Sequence, residues 1–134
     1  MNELIIACAT NNGEEFVNDH FGSANYFDIY KMSKESIEKI DRVDNTSEEE
    51  KEDDGIHGDP NKAKGISGIL KKKDVQVVVG YKMGPNIIRM KKKFVPVIVR
   101  NINIKNSLEI VKNNFDKIVE ELNNGENRKH IVLE

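Results

Sequence analysis

Two stretches of this chain, Leu4-Ile5-Ile6-Ala7-Cys8-Ala9 and Val75-Gln76-Val77-Val78-Val79, are apolar at nearly every position rather than at every second one. A strand with one wet face alternates apolar and polar residues, so the unbroken first run, closed by the turn-rich Thr10-Asn11-Asn12-Gly13, reads as a strand covered on both faces and central in its sheet. The second run is β-branched and follows a helical pattern. Asp59 is an N-cap with Pro60 at the first helical position, and Ala63, Ile66, Ile69 and Leu70 recur at helical spacing up to the cationic Lys71-Lys72-Lys73. A helix over about 60–72 is expected, weakened by Gly65 and Gly68.

Beyond Val79 the alternation continues. Gly84-Pro85 opens a second helix carrying Ile87, Ile88 and Met90, and Phe94 to Val99 forms a further strand in which Pro96, lacking an N–H, demands an edge or one-sided pairing. Ile104, Leu108, Val111, Phe115, Ile118 and Leu122 mark one stripe of a long helix lying across the sheet, which Gly125 can terminate. Ahead of these βα units, Tyr26 to Lys31 and Ser36 to Asp44 read as a hairpin, the latter with Ile37, Ile40 and Val43 at an imperfect strand period. The order is β-β-β-α-β-α-β-α. Right-handed crossovers then predict an α/β fold with a five-stranded mixed sheet of order 3-2-1-4-5, strand 2 antiparallel and helices on both faces.

The chain of 134 residues is expected to be a single domain over 1–124 with a C-terminal tail at 125–134. Residues 45–58, nearly devoid of apolar side chains and containing Glu48-Glu49-Glu50-Lys51-Glu52-Asp53-Asp54, read as a mobile acidic loop. With 21 Lys plus Arg against 23 Asp plus Glu, nothing global favours nucleic acid or a membrane surface. The lone Cys8 excludes an internal disulfide or a Cys-x-x-Cys metal motif. With no basic leader before the short first apolar run, a cytoplasmic protein is expected.

In this sheet order the carboxyl ends of strands one and four are neighbours, so the segment from Thr10 to Gly22 and the segment Gly80-Tyr81-Lys82-Met83-Gly84 should flank one crevice. His20-Phe21-Gly22 places an imidazole there, the commonest protein ligand for transition metals, beside a glycine that admits close approach. Lys82 and the helix start at Gly84-Pro85 would favour an anion in the same crevice. His57, in Gly55-Ile56-His57-Gly58, is a second candidate ligand. His130 sits in a polar tail and reads as a surface residue, and Cys8, inside the apolar strand, reads as a small hydrophobe. The lysine triplets at 71–73 and 91–93 read as solvated helix ends that could also meet an acidic partner.

The strand ending Ala9-Thr10-Asn11, His20-Phe21-Gly22 with Tyr26-Phe27, Val77-Val78-Val79-Gly80 and Met83-Gly84-Pro85 together resemble the dinitrogenase iron-molybdenum cofactor biosynthesis family, which includes NifX-like carriers and the C-terminal domain of NifB. The resemblance covers about residues 3–124. It implies a ribonuclease H-like three-layer fold, and binding or carriage of an anionic iron-sulfur-type cluster rather than catalysis. The chain departs from the family pattern at Asn11, where an aspartate is often found, and at Asn86, where a basic residue is common.

The main functional expectation is therefore a small, non-enzymatic carrier that receives an iron-molybdenum cofactor or its precursor from a donor protein and passes it to an acceptor. His20 and His57 would be the metal ligands, with Phe21, Gly22, Lys82, Gly84 and Pro85 completing the cofactor site. One alternative is a non-catalytic module for another anionic small molecule or a regulatory partner. The other is a metal-dependent ribonuclease H-like enzyme, which would need converging carboxylates; strand one carries none beyond Glu3, and strand two only Asp28.

Overall fold

The computed structural model describes residues 2–46 and 60–134, with only the backbone described for 60–64. Strand β1 spans Leu4–Thr10, β2 Tyr26–Met32 and β3 Ile37–Asp44; helix α1 runs Pro60–Lys71, β4 Val77–Gly80, α2 Ile87–Met90 and β5 Val95–Val99. Helices α3 (Ile104–Asn113) and α4 (Phe115–Leu122) follow, and β6 (Ile131–Leu133) closes the chain. One mixed sheet results, in the order β3-β2-β1-β4-β5-β6. β2 runs antiparallel to both β1 and β3, whereas β1, β4, β5 and β6 are mutually parallel.

The unbroken apolar runs have the expected cause. Along β1, Leu4, Ile6 and Cys8 face one hydrophobic cluster, built with Ile104, Leu108, Val111, Phe115 and Ile118 of α3 and α4. Ala7 and Ala9 face a second cluster, built with Ile66 and Leu70 of α1 and Met90 of α2. β4 divides in the same way, Val77 and Val79 to the first and Val78 to the second. Helices thus cover both faces, and the one polar side chain on β1 and β4, Thr10 at the end of β1, is buried with its hydroxyl bonded to the following loop.

The hairpin explains the imperfect period of its second strand. Ile29 pairs with Asp41 but Tyr30 pairs with Lys39, leaving Ile40 as the extra residue of a β-bulge, 47% exposed. The bulge reverses the facing of the strand, so Ile37 packs against the first cluster and Val43 against the second although both sit at odd positions.

Three expectations need correction. The sheet has six strands, not five: Ile131–Leu133, read with the C-terminal tail, pairs with Val97–Val99 of β5. Three residues are too few to carry a period, yet Ile131 and Leu133 are buried and Val132 is exposed. Pro96 nonetheless obeys its constraint, because β6 begins opposite Val97 and leaves Pro96 paired only with Val78 of β4. The long helix expected through 104–122 is broken at Asn114. Its side-chain amide donates to the Ile110 carbonyl at 2.8 Å, where its own N–H would bond in a continuous α-helix, and that N–H goes to Val111 instead. The helix expected after Pro85 is a single turn.

Candidate functional site

The loop leaving β1 is tied down by its own polar side chains. Thr10 Oγ1 accepts from the N–H groups of Asn12 and Gly13 and donates to the Glu15 carbonyl at 2.6 Å, while Asn12 Oδ1 accepts from Glu14 and Glu15. Asn11 Oδ1 accepts from the Asn25 N–H, joining the loop to the start of β2. The chain then enters His20-Phe21-Gly22, where Phe21–Ser23 forms a 3₁₀ turn. Phe21 is its anchor, buried and stacked on Phe27 of β2 with ring centroids 5.1 Å apart. Asn45, just past β3, donates from its amide to the carbonyls of Gly22 and Ala24 at 2.9 and 2.8 Å and holds the turn from the other side.

His20 itself is exposed at the rim. Its N–H donates to Asp19 Oδ1, its carbonyl accepts from the N–H and hydroxyl of Ser23, and it forms a parallel bridge with Lys82. β1 and β4 pair directly, so their carboxyl ends are neighbours, and this bridge joins the segments that follow them. Gly84 has φ +78°, and a Cβ there would lie 2.5 Å from Cγ and 2.6 Å from Nδ1 of His20. Only glycine permits both the left-handed backbone and the imidazole resting against it.

Between these segments lies a crevice of about 190 Å³. His20, Phe21, Gly22 and Pro85 line it, as the sequence suggests, and Gly84 backs the imidazole. Lys82 is bridged to His20 but is not among the lining residues. Asp19, Ser23, Ile66, Met83, Asn86 and Met90 complete the wall; of these, Met83 lies in a segment expected to flank the crevice and Asn86 is a noted departure from the family pattern, but none is among the expected site residues. The signal for Met90 is its position on the helix opened by Gly84-Pro85, which borders the crevice. Both methionines offer soft thioether sulfur, and Met90 Sδ accepts a weak hydrogen bond from Ser67 at 3.9 Å. The Ile87 N–H is already bonded to the Gly84 carbonyl, and a one-turn helix has little macrodipole, so the anion-favouring field expected from this helix start is small.

His57 lies outside the described residues, as does the acidic stretch from 47 on. Cys8 is fully buried on the sheet face opposite the crevice, where burial, aided by Asp28, pushes its thiol well above the ordinary range. Asp28 is buried and engaged by Arg42 and Lys39. Among the described residues, no three His, Cys, Asp or Glu side chains converge as a metal-binding group. Nor is any described helix long and apolar enough to cross a membrane.

A family model described as dinitrogenase iron-molybdenum cofactor matches residues 2–120. The chain belongs to the dinitrogenase iron-molybdenum cofactor family. The match takes in every strand except β6 and every segment that lines the crevice. Proteins of this family are generally concerned with making or carrying that cofactor. No curated protein matches the chain.

Proposed function

We propose that this protein is a cytoplasmic, non-catalytic carrier that receives an anionic iron-sulfur-type metallocluster, the iron-molybdenum cofactor or a precursor of it, from one protein and delivers it to another. The observation that carries this reading is the His20 imidazole, held on Gly84 at the rim of the crevice and open to solvent. A single imidazole can complete the coordination of one exposed metal of a preformed cluster without enclosing it. Met83 and Met90 line the wall with soft sulfur suited to a sulfur-rich cargo, and Lys82, exposed and bridged to His20, supplies positive charge beside it. His57 would contribute a second ligand. A hold of this kind releases its cargo readily, whereas a full cage of thiolates would retain it.

The test is an anaerobic titration of the apo protein with isolated iron-molybdenum cofactor, followed by visible absorption and electron paramagnetic resonance, beside His20→Ala. Saturable binding that weakens at least about tenfold in the variant is the expected result, equivalent to about 1.4 kcal/mol. Absence of binding by the unmodified protein removes the carrier reading for that cofactor. Binding that ignores the substitution removes His20 from the site.

A further inference from the structure

The end of the sheet opposite the crevice gathers positive charge from three separate segments. Lys71-Lys72-Lys73 closes α1 and leads to β4, Lys91-Lys92-Lys93 follows α2 and leads to β5, and Arg128-Lys129 leads to β6. Because β4, β5 and β6 are parallel, all three segments meet at the amino ends of those strands. We propose that these segments form a docking surface for an acidic face of a partner protein.

The cations are set in place by backbone carbonyls. Lys71 Nζ donates to the Lys93 carbonyl at 3.0 Å and lies 4.7 Å from the centre of the Phe94 ring. Arg128 donates from Nη1 to the Lys92 carbonyl at 2.9 Å and from Nε to the Leu122 carbonyl at 3.0 Å. These bonds fix side chains without neutralising them. Burial, with the charges of Arg128 and Lys93, lowers the Lys71 pKa, so the like charges are close enough to oppose one another and an approaching anion would relieve them.

Asp41 takes up Lys73 at 2.7 Å, leaving Lys71 and Lys72 to represent that segment, and Glu121 accepts from the Lys129 N–H. The one aromatic ring in the cluster, Phe94, is fully buried and cannot stack on a base, and the whole chain carries a net charge of −2, which opposes a nucleic-acid duplex. An acidic protein face needs neither stacking nor a basic protein. A partner seated here also leaves the His20 crevice open at the far end of the strands, so docking and cargo exchange need not compete.

The full chain, labelled with nitrogen-15, is titrated with a poly-L-glutamate chain of about 20 residues at about 50 and about 300 mM salt. The expected result is amide shifts confined to the three segments, affinity that falls with salt, and binding weakened at least about tenfold in Lys72→Glu/Lys92→Glu, both exposed positions. Lys72→Gln/Lys92→Gln is read in the same way should the charge-reversed protein fail to fold. Shifts centred on the His20 crevice, no binding at low salt, or undiminished affinity in the variant would overturn the proposal. So would tighter binding of a DNA duplex of similar length at the same salt, which assigns the surface to nucleic acid. Cofactor titration of the same variant separates the two proposals, since loss of docking with intact cofactor binding concerns this surface alone.

Discussion

Arg42 grips Asp28 from the neighbouring strand, its Nε donating to Oδ1 at 2.6 Å and its Nη2 to Oδ2 at 3.2 Å, and the carboxylate is fully buried while the guanidinium side chain is 40% exposed. Lys39 adds a contact to Oδ2 at 3.1 Å. The asymmetry in burial decides what each substitution does. Arg42→Ala strands a buried carboxylate with Lys39 alone and should cost about 2–4 kcal/mol, whereas Lys39→Ala leaves the forked pair intact and should cost under about 1 kcal/mol. Asp28→Asn frees two cations that can turn to water and should fall between them, at about 1.5–3 kcal/mol. Urea unfolding of the three variants checks the order; equal losses for Arg42 and Lys39 would refute it.

The same buried group shapes the alkaline limit of stability. Burial, reinforced by Cys8 and Asp28 and opposed by Arg42, pushes the Tyr30 phenol up to about 12, and burial with Asp28 raises Cys8 further still. Both groups hold their protons more tightly folded than unfolded. Their contribution is therefore whole below the ordinary thiol and phenol ranges and is lost as pH climbs toward the folded values, because the unfolded chain ionises first. Stability should fall from about pH 9 upward. Cys8→Ala, destabilised at pH 7 by its cavity, should show a deficit that narrows as pH rises. A deficit constant from pH 7 to about 10.5 in urea midpoints contradicts this account.

Gly84→Ala should separate the crevice from the fold. The new methyl would enter the space of His20 Cγ and Nδ1, and alanine at φ +78° adds about 1–2 kcal/mol of backbone strain. The imidazole must turn away, so cofactor binding should drop as far as in His20→Ala, while circular dichroism remains that of the parent and the melting temperature falls by several degrees. Retained affinity would mean that the imidazole need not rest on Gly84.

How much of this was legible beforehand follows from which interactions are local. The continuous apolar runs of β1 and β4 report their burial directly, and with the hairpin and right-handed crossovers they give the order of the first five strands and put the His20 and Gly84 segments at one edge of the sheet. The bulge at Ile40 left a trace, a strand period that slips, but not its meaning, since facing depends on the partner strand. β6 left almost none: Ile131-Val132-Leu133 becomes a strand only because β5 presents an open edge to it. Asn114 broke a helix whose stripe continues unbroken, because the stripe records packing and the side-chain bond to Ile110 records backbone competition. Met90 was hidden for a related reason: methionine on a helix reads as core, and only the fold shows that this part of the core is the wall of a crevice.

Asn45 offers the test of whether the crevice is held from a distance. Its amide donates to the carbonyls of Gly22, inside the 3₁₀ turn, and Ala24, just after it, and its N–H donates to the Asn25 carbonyl. Asn45→Ala removes the side-chain donor from both carbonyls and should cost about 1–3 kcal/mol. Phe21 remains buried against Phe27, so the turn should loosen rather than detach. The expected signature is faster hydrogen exchange of the Ser23 amide, which bonds to the His20 carbonyl, with cofactor affinity reduced several-fold and the amides of β4 and β5 still protected. If Ser23 exchange is unchanged, the turn is held by Phe21 alone. If protection is lost throughout the sheet, Asn45 supports the fold as a whole and not this turn in particular.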